Sequence, residues 1–346
     1  MTKSPRGPDL SRRQAEEIVE WLVSLGIRIR TRIITQRDVE ADRRISGHEG
    51  GDTIFAIDRK AEPLIVEALA HPPAAMYRTA IVCEGLGPDG RFDPLESEGE
   101  PDFLVLIDPI DGTRSLMYDK RSAWFLAAVA RNSGTATSLQ DSLCSVMVEL
   151  PTSKQAFADI LWATRGTAAR ADRQDLRTGE RQRLSLAPSS ETTLRHGFGQ
   201  VASFFPGTKR LAADLMETIV TRTLGAVSIA EASVFDDQYI CSGGQFVELA
   251  MGRDRFCCDL RPLFFEILRR DGLAAEGGLL CHPYDVAGWL VARQAGVVLT
   301  DGFGAPLDSP FDVHHGVHWC GYANEALRDQ IAPVIQAWLY DHLPVT

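Results

Sequence analysis

The chain has 346 residues, 45% hydrophobic and 24% charged, with a formal net charge of −11. This length and balance suit one large or two medium globular domains rather than a disordered or fibrous chain, and the negative sign argues against a nucleic-acid backbone as main partner, which would need a basic face. Seven cysteines, Cys257 and Cys258 adjacent among them, form neither a disulfide framework nor a Cys-x-x-Cys spacing, so free thiols in a reducing, cytoplasmic setting are expected.

The N-terminal segment lacks an apolar signal core, and the longest apolar run, residues 123–130, is too short to span a bilayer, so no membrane partner is expected. Residues 1–9 read as a flexible tail. Ser11 and Gln14 then have capping-box spacing, and Ile18, Trp21, Leu22, Leu25 and Ile29 mark one helical face. Residues 53–57 read as a strand, and Pro63 predicts that the next helix starts near it, which leaves Asp58 at the junction. A short strand over 81–83 ends in Glu84, and residues 85–101, rich in Gly, Pro and acids, form either a solvated connection or a mobile lid.

Residues 103–107 are continuously apolar, the pattern of a strand covered on both faces, and Asp108-Pro-Ile-Asp111-Gly112-Thr113 follows at the carboxyl end, where α/β proteins place ligands. Two carboxylates held close repel unless a cation joins them, and Mg²⁺ is held by one or two carboxylates plus phosphate oxygens. Gly112 allows close approach of the backbone, and Thr113 caps a short helix starting at Arg114 and Ser115. Asp-Pro and Asp-Gly are also ordinary turn signals, so the run alone leaves a plain loop open.

Residues 122–130, 143–150 and 157–164 predict an antiparallel sheet, and the polar cluster at 187–193 a boundary. Beyond it, 209–223 reads as helix, 227–230 as strand and 245–251 as helix. Ser242-Gly-Gly lacks the Lys-Ser/Thr ending of a phosphate loop and reads as the start of a tightly packed helix. Asp285 stands at a helix start, with Val286, Leu290 and Val291 on one face, Gly296 as its stop and a strand over 297–299. His314, His315 and His318 lack an acid or Cys at a recognisable metal spacing and read as surface or loop residues.

Together, Asp108-Pro-Ile-Asp-Gly-Thr113, the segment from Tyr284-Asp285 through Ala295-Gly296 to Asp301, the run ending in Asp58, and Ile81-Val-Cys-Glu84 resemble the inositol monophosphatase family, the larger group that includes fructose-1,6-bisphosphatases and bisphosphate nucleotidases. The resemblance runs, with gaps, from about Leu10 to about Asp308. It implies α+β and α/β structure in a layered α/β/α/β/α sandwich of the sugar-phosphatase type. Residues 10–188 would form an N-terminal α+β domain carrying an antiparallel sheet and most metal ligands, and residues 189–346 a C-terminal α/β domain supplying the last ligand and substrate contacts.

The implied activity is Mg²⁺-dependent hydrolysis of small phosphomonoesters by metal-activated water. Inositol monophosphate or a related sugar phosphate ranks first, then a bisphosphate nucleotide or fructose 1,6-bisphosphate; a non-catalytic phosphate-binding or regulatory member is the reading from another class. By the same resemblance Glu84, Asp108 and the Ile110 carbonyl would hold one Mg²⁺, and Asp108, Asp111 and Asp285 a second, with two or three ions per subunit. Gly112 and Thr113 N–H groups would meet the phosphate, and Thr113 and Glu84 would orient the water, with Asp58 behind Thr113. A homodimer is compatible with the resemblance.

Departures fall on the rim. Gly85 stands where the family commonly has a second acid, Tyr284 replaces a frequent Trp, and Arg114 follows Thr113, there to meet a second phosphate or merely to be solvated. Asp259 lies near a position where relatives bind a sugar hydroxyl, off by about one residue, and the 259–282 segment is longer than usual.

Overall fold

The computed structural model describes residues 10–49, 52–86, 90–95, 99–228, 230–274 and 278–343, so the expected tail at 1–9 and parts of the 85–101 loop lie outside the described residues. Ser11 closes a reciprocal capping box with Gln14 and opens helix α1, Arg12–Thr35. Its buried positions Ile18, Leu22, Leu25, Ile29 and Ile33 recur at helical spacing, which makes this face the inner one. After α2 (Val39–Asp42) come the hairpin strands β1 (Ile45–Glu49) and β2 (Asp52–Phe55), then a 3₁₀ turn over Asp58–Lys60 and α3 (Glu62–Leu69), with Pro63 in its first turn as expected.

Eight strands build the large sheet: β3 (Thr79–Cys83), β4 (Arg91–Phe92), β5 (Phe103–Asp111), β6 (Ala123–Arg131), β7 (Ser142–Leu150), β8 (Phe157–Thr164), β9 (Arg170–Asp175) and β10 (Arg181–Leu184). Their order across the sheet is β10-β9-β8-β7-β6-β5-β3-β4, with β3 and β5 parallel and the other pairs antiparallel. Between β5 and β6 lies the short helix α4, Thr113–Met117. The second half contributes β11 (Phe198–Val201), α5 (Lys209–Leu224), α6 (Ser242–Ala250), β12 (Asp254–Asp259), α7 (Arg261–Arg270), α8 (Trp289–Ala295), β13 (Val298–Thr300), β14 (Trp319–Tyr322) and α9 (Glu325–His342). Its four strands form a separate sheet ordered β11-β12-β14-β13.

Strand alternation sorts the core into layers. Ile81, Cys83, Val105, Ile107 and Phe125 point to the α1 and α3 side, while their neighbours Ala80, Val82, Leu104, Leu106, Trp124 and Leu126 point to the other. That second face packs on Phe246 and Val247 of α6 and Trp289 to Ala292 of α8, which also meet Cys257 and Trp319 of the small sheet. Phe256, Cys258, Cys320 and Tyr322 face outward onto α5, α7 and α9. The order is therefore helices, sheet, helices, sheet, helices, the layering expected from the sequence. Among the described residues no helix is long and apolar enough to cross a membrane.

Three local expectations fail. Thr113 does not cap α4 but is its first residue, with Gly112 at the N-cap and no side-chain cap bond, because its hydroxyl is turned to Asp58 and the Ile110 carbonyl. Residues 227, 228 and 230 form no strand, and 229 lies outside the described residues; the strand of this region is instead β11, earlier in the chain, beside β12. Asp285 is not the first residue of a helix but lies in a 3₁₀ turn over Tyr284–Val286, and α8 begins only at Trp289. Gly288 sits close to Met147, where a side chain would collide with the Met sulfur, so this turn is pressed onto the large sheet.

Candidate active site

Strand β5 runs on through Asp111 rather than ending at Ile107. Asp108 pairs with Leu126 and Asp111 with Trp124, so three steps along β5 match two along β6. In a regular strand residues three apart point to opposite faces; the extra residue of this bulge returns Asp111 to the side of Asp108. Gly112, at φ 96° and ψ 20°, then turns the chain into α4. A Cβ there would lie 3.0 Å from the Cys241 Cβ.

The second half of the chain fixes the pair. Cys241 caps α6, accepting from the Gly244 N–H, and the Gly243 N–H donates to Asp111 Oδ2 at 2.6 Å. The Cys241 thiol, kept protonated by burial, lies 3.2 Å from the same carboxylate oxygen. Asp285 arrives on its 3₁₀ turn, held by the His282 N–H at 2.5 Å, and Asp108 Oδ1 accepts from Ile110 N at 2.9 Å. One carboxylate oxygen from each of Asp108, Asp111 and Asp285 lies within 4.8 Å of the others, the one such group of three among the described residues. His315 instead bonds Asp312, and His318 accepts from Gly302 N.

Burial raises all three carboxyl pKa values, and mutual repulsion adds to the effect for Asp108 and Asp111; Asp111 is pushed up to about 8. Asp285 is raised less freely, because His282 and Arg261 draw it back. Oxygen-only donors, three charges and no cation in the cluster itself fit a hard divalent cation. A proton or such a cation relieves the same repulsion.

The cavity beside the cluster encloses about 130 Å³ and is lined also by Asp58, Glu84, Gly112, Thr113 and Arg114. Thr113 Oγ1 lies 2.8 Å from both Asp58 Oδ1 and the Ile110 carbonyl, and Asp58 Oδ2 accepts from Phe55 N at 2.8 Å. Glu84 directly follows β3, the parallel neighbour of β5, which brings it to the same carboxyl-end rim. Tyr284 stacks on His282 with ring centres 5.3 Å apart, and its phenol is kept protonated by burial first and then by Asp285, Glu84 and Asp108.

Asp259 takes a different place from the one expected. It is fully buried, does not line the cavity, and its carboxylate is engaged by Arg261, which does line it. Arg261, Phe204, Phe205, Cys241 and His282 all face the cavity and were not among the expected residues. The Asp259-x-Arg261 spacing and the Phe204-Phe205-Pro206-Gly207 turn mark three of these residues in the sequence, but neither motif places them at the cavity.

Comparisons with family models and with curated proteins give no match. Among solved structures, the chain is similar to the Leishmania major fructose-1,6-bisphosphatase in holo form (TM-score 0.66, 12% identity, covering 95% of each chain). It is also similar to an IMPase from Thermotoga maritima (0.56, 18%, 93% of this chain and 96% of that one). Mycobacterium tuberculosis SuhB gives 0.58 at 14% identity, with 96% and 98% covered. At these identities the likeness carries the fold alone, an α+β sandwich of the sugar-phosphatase type.

Proposed function

We propose that this chain is a Mg²⁺-dependent phosphatase of small phosphomonoesters. The observation that carries the reading is the convergence of Asp108, Asp111 and Asp285 on one point, in the cavity that also holds the Thr113–Asp58 pair. Asp108, Asp111 and Asp285, with Glu84 and the Ile110 carbonyl, would hold the cations. When bound, they supply positive charge to the phosphoryl oxygens and make water a stronger nucleophile.

The chain's own groups would do the rest. Thr113 has a single hydroxyl proton, which is directed at Asp58 or the Ile110 carbonyl, so its oxygen lone pairs are left to accept from a water in the cavity. Asp58, which accepts from the Phe55 N–H, would receive a proton relayed through that hydroxyl. Glu84 offers a second acceptor on the β3 rim, and the Gly112 and Thr113 N–H groups would meet the phosphoryl oxygens. The resemblance ranks inositol monophosphate and related sugar phosphates first as substrates, and buried thiols fit a reducing, cytoplasmic setting.

Phosphate release from a panel of inositol, sugar and nucleotide phosphates tests the reading. Turnover that requires Mg²⁺ and stops in excess chelator is expected; a folded protein that binds Mg²⁺ but releases no phosphate from any of them would establish the non-catalytic alternative.

A further inference from the structure

Tyr284 is only 5% exposed and lines the cavity of the acid cluster together with Glu84 and His282. A phenol buried this deeply needs hydrogen-bond partners, and two are at hand. Its oxygen lies 3.2 Å from Nδ1 of His282, whose ring stacks on its own with 13° between the planes, and it shares a hydrogen bond with the Glu84 carboxylate. A phenol carries one hydroxyl hydrogen and a carboxylate only accepts, so the Tyr284 hydroxyl donates to Glu84. His282 then keeps its hydrogen on Nδ1 and donates to the phenol oxygen. The Trp that the family frequently carries at this position could not take the middle place in this chain of bonds, because an indole donates and does not accept.

The two ends of the chain are held unequally. The His282 N–H donates to Asp285 Oδ2 at 2.5 Å, and the Asp285 N–H donates back to the His282 carbonyl at 3.1 Å, so the imidazole rides on the closed turn that delivers Asp285. The residue before it is tied as well, by the Val317 N–H to the Cys281 carbonyl at 2.7 Å. Glu84 has no such frame. It stands one residue past Cys83, the last residue of β3 to pair with β5, and just before Gly85 at φ 74°. The ladder stops short of Glu84, and a long side chain on such a turn keeps rotamer freedom that only its own contacts remove.

Resting on the phosphatase reading, we infer that Tyr284 is a positioning residue of the reaction: its hydroxyl, braced by His282, holds the Glu84 carboxylate in the orientation that meets the cation and the attacking water. Tyr284 acts through Glu84 alone. Its hydroxyl brings no charge to the cavity, and its loss leaves Asp108, Asp111, Asp285 and the Thr113–Asp58 pair in place. A catalytic group misplaced by about 1 Å can cost about a hundredfold in rate. The effect therefore falls on kcat and spares KM, as it does when an interaction made in the transition state is lost.

The test is a double-mutant cycle at saturating Mg²⁺, with inositol 1-phosphate or fructose 1,6-bisphosphate, whichever the wild type turns over faster. Tyr284→Phe removes the hydroxyl and keeps the ring; kcat is expected to fall by about tenfold to a hundredfold with KM changed by less than about twofold. Once Glu84 has lost its charge there is nothing left to position, so in a Glu84→Gln background the same substitution is expected to lower kcat by less than about twofold. Should a variant of this cycle not fold or not turn over, His282→Asn is compared with His282→Ala. Asparagine can place an N–H where Nδ1–H stands, so it is expected to recover most of the kcat that alanine loses. A merely structural role would cost the same factor with and without the Glu84 charge, and would leave the two His282 variants alike. Either result, a rise in KM with kcat unchanged, or wild-type kcat in Tyr284→Phe overturns the inference and leaves the phosphatase reading standing. No phosphate released from either substrate, or from any of the inositol, sugar and nucleotide phosphates, by the wild type overturns both.

Discussion

At the scale of residues, the acid cluster makes its own pH prediction. A carboxyl whose folded pKa lies above its unfolded value binds more protons in the folded state, so stability is fully present below the unfolded pKa and is lost as pH rises through the folded one. Asp111 moves from an ordinary 3.8 to about 8, and Asp108 and Asp285 shift in the same direction. The metal-free protein is therefore expected to lose stability between about pH 4 and pH 8. Asp254, raised to about 7 by burial first and then by Glu248, adds to that slope but lies outside the cluster, so Mg²⁺ leaves its part untouched. Protons and Mg²⁺ compete for the same oxygens, so the gain in melting temperature on adding Mg²⁺ should be larger at pH 8 than at pH 5. Scanning calorimetry with Mg²⁺ and with chelator at both values checks this, and an equal gain at both would show that the ion binds elsewhere. Asp108 and Glu84 were legible because each directly follows an apolar run, and Asp111 because it stands three residues beyond Asp108 and just before Gly112-Thr113. Arg261, Phe204 and Cys241 were not, since only the folding of the second half over β5 brings them to the cavity.

At the scale of elements, the β5 to α4 turn shows where local reading stops. The apolar run at 103–107 was visible, but the strand continues to Asp111 because β6 goes on pairing with it across the bulge. No residue in Asp108-Pro-Ile-Asp111 announces that extra residue; the partner strand does. Gly112 was legible as a turn, and its left-handed backbone is one that alanine adopts only under strain. The contact with Cys241 tightens the constraint, because the atom in the way is the Cβ of a helix cap that also holds Asp111. Gly112→Ala is thus expected to destabilise the fold by about 1–3 kcal/mol and to lower kcat/KM for phosphate release by at least about tenfold, as misplaced catalytic groups do. Wild-type melting and turnover in this variant would show that the turn has slack. The edge strand β10 and its neighbour β9, polar and for the most part half-buried or exposed, carry no apolar run and so left little trace in the sequence.

At the scale of the molecule, the layering followed from period-two burial on two sheets, and its consequence is that the site belongs to neither half alone. Asp108 and Asp111 ride on β5 of the large sheet, whereas Asp285 is delivered by the turn before α8, the helix packed between the sheets. Without a cation these carboxylates stand within 4.8 Å of one another with raised pKa values, so the metal-free molecule is held together against local repulsion. Asp285→Asn removes one charge at nearly constant volume. The His282 N–H can still donate to the amide oxygen, so the turn keeps its anchor. The variant is therefore expected to melt at the same temperature as the wild type or slightly higher in chelator, to gain much less on adding Mg²⁺, and to lose most phosphate release. A surface aspartate would alter none of the three. If calorimetry found the full Mg²⁺-induced gain in Asp285→Asn, with turnover retained, Asp285 would not be a ligand, and a site shared between the two halves of the chain would have to be abandoned in favour of one confined to β5.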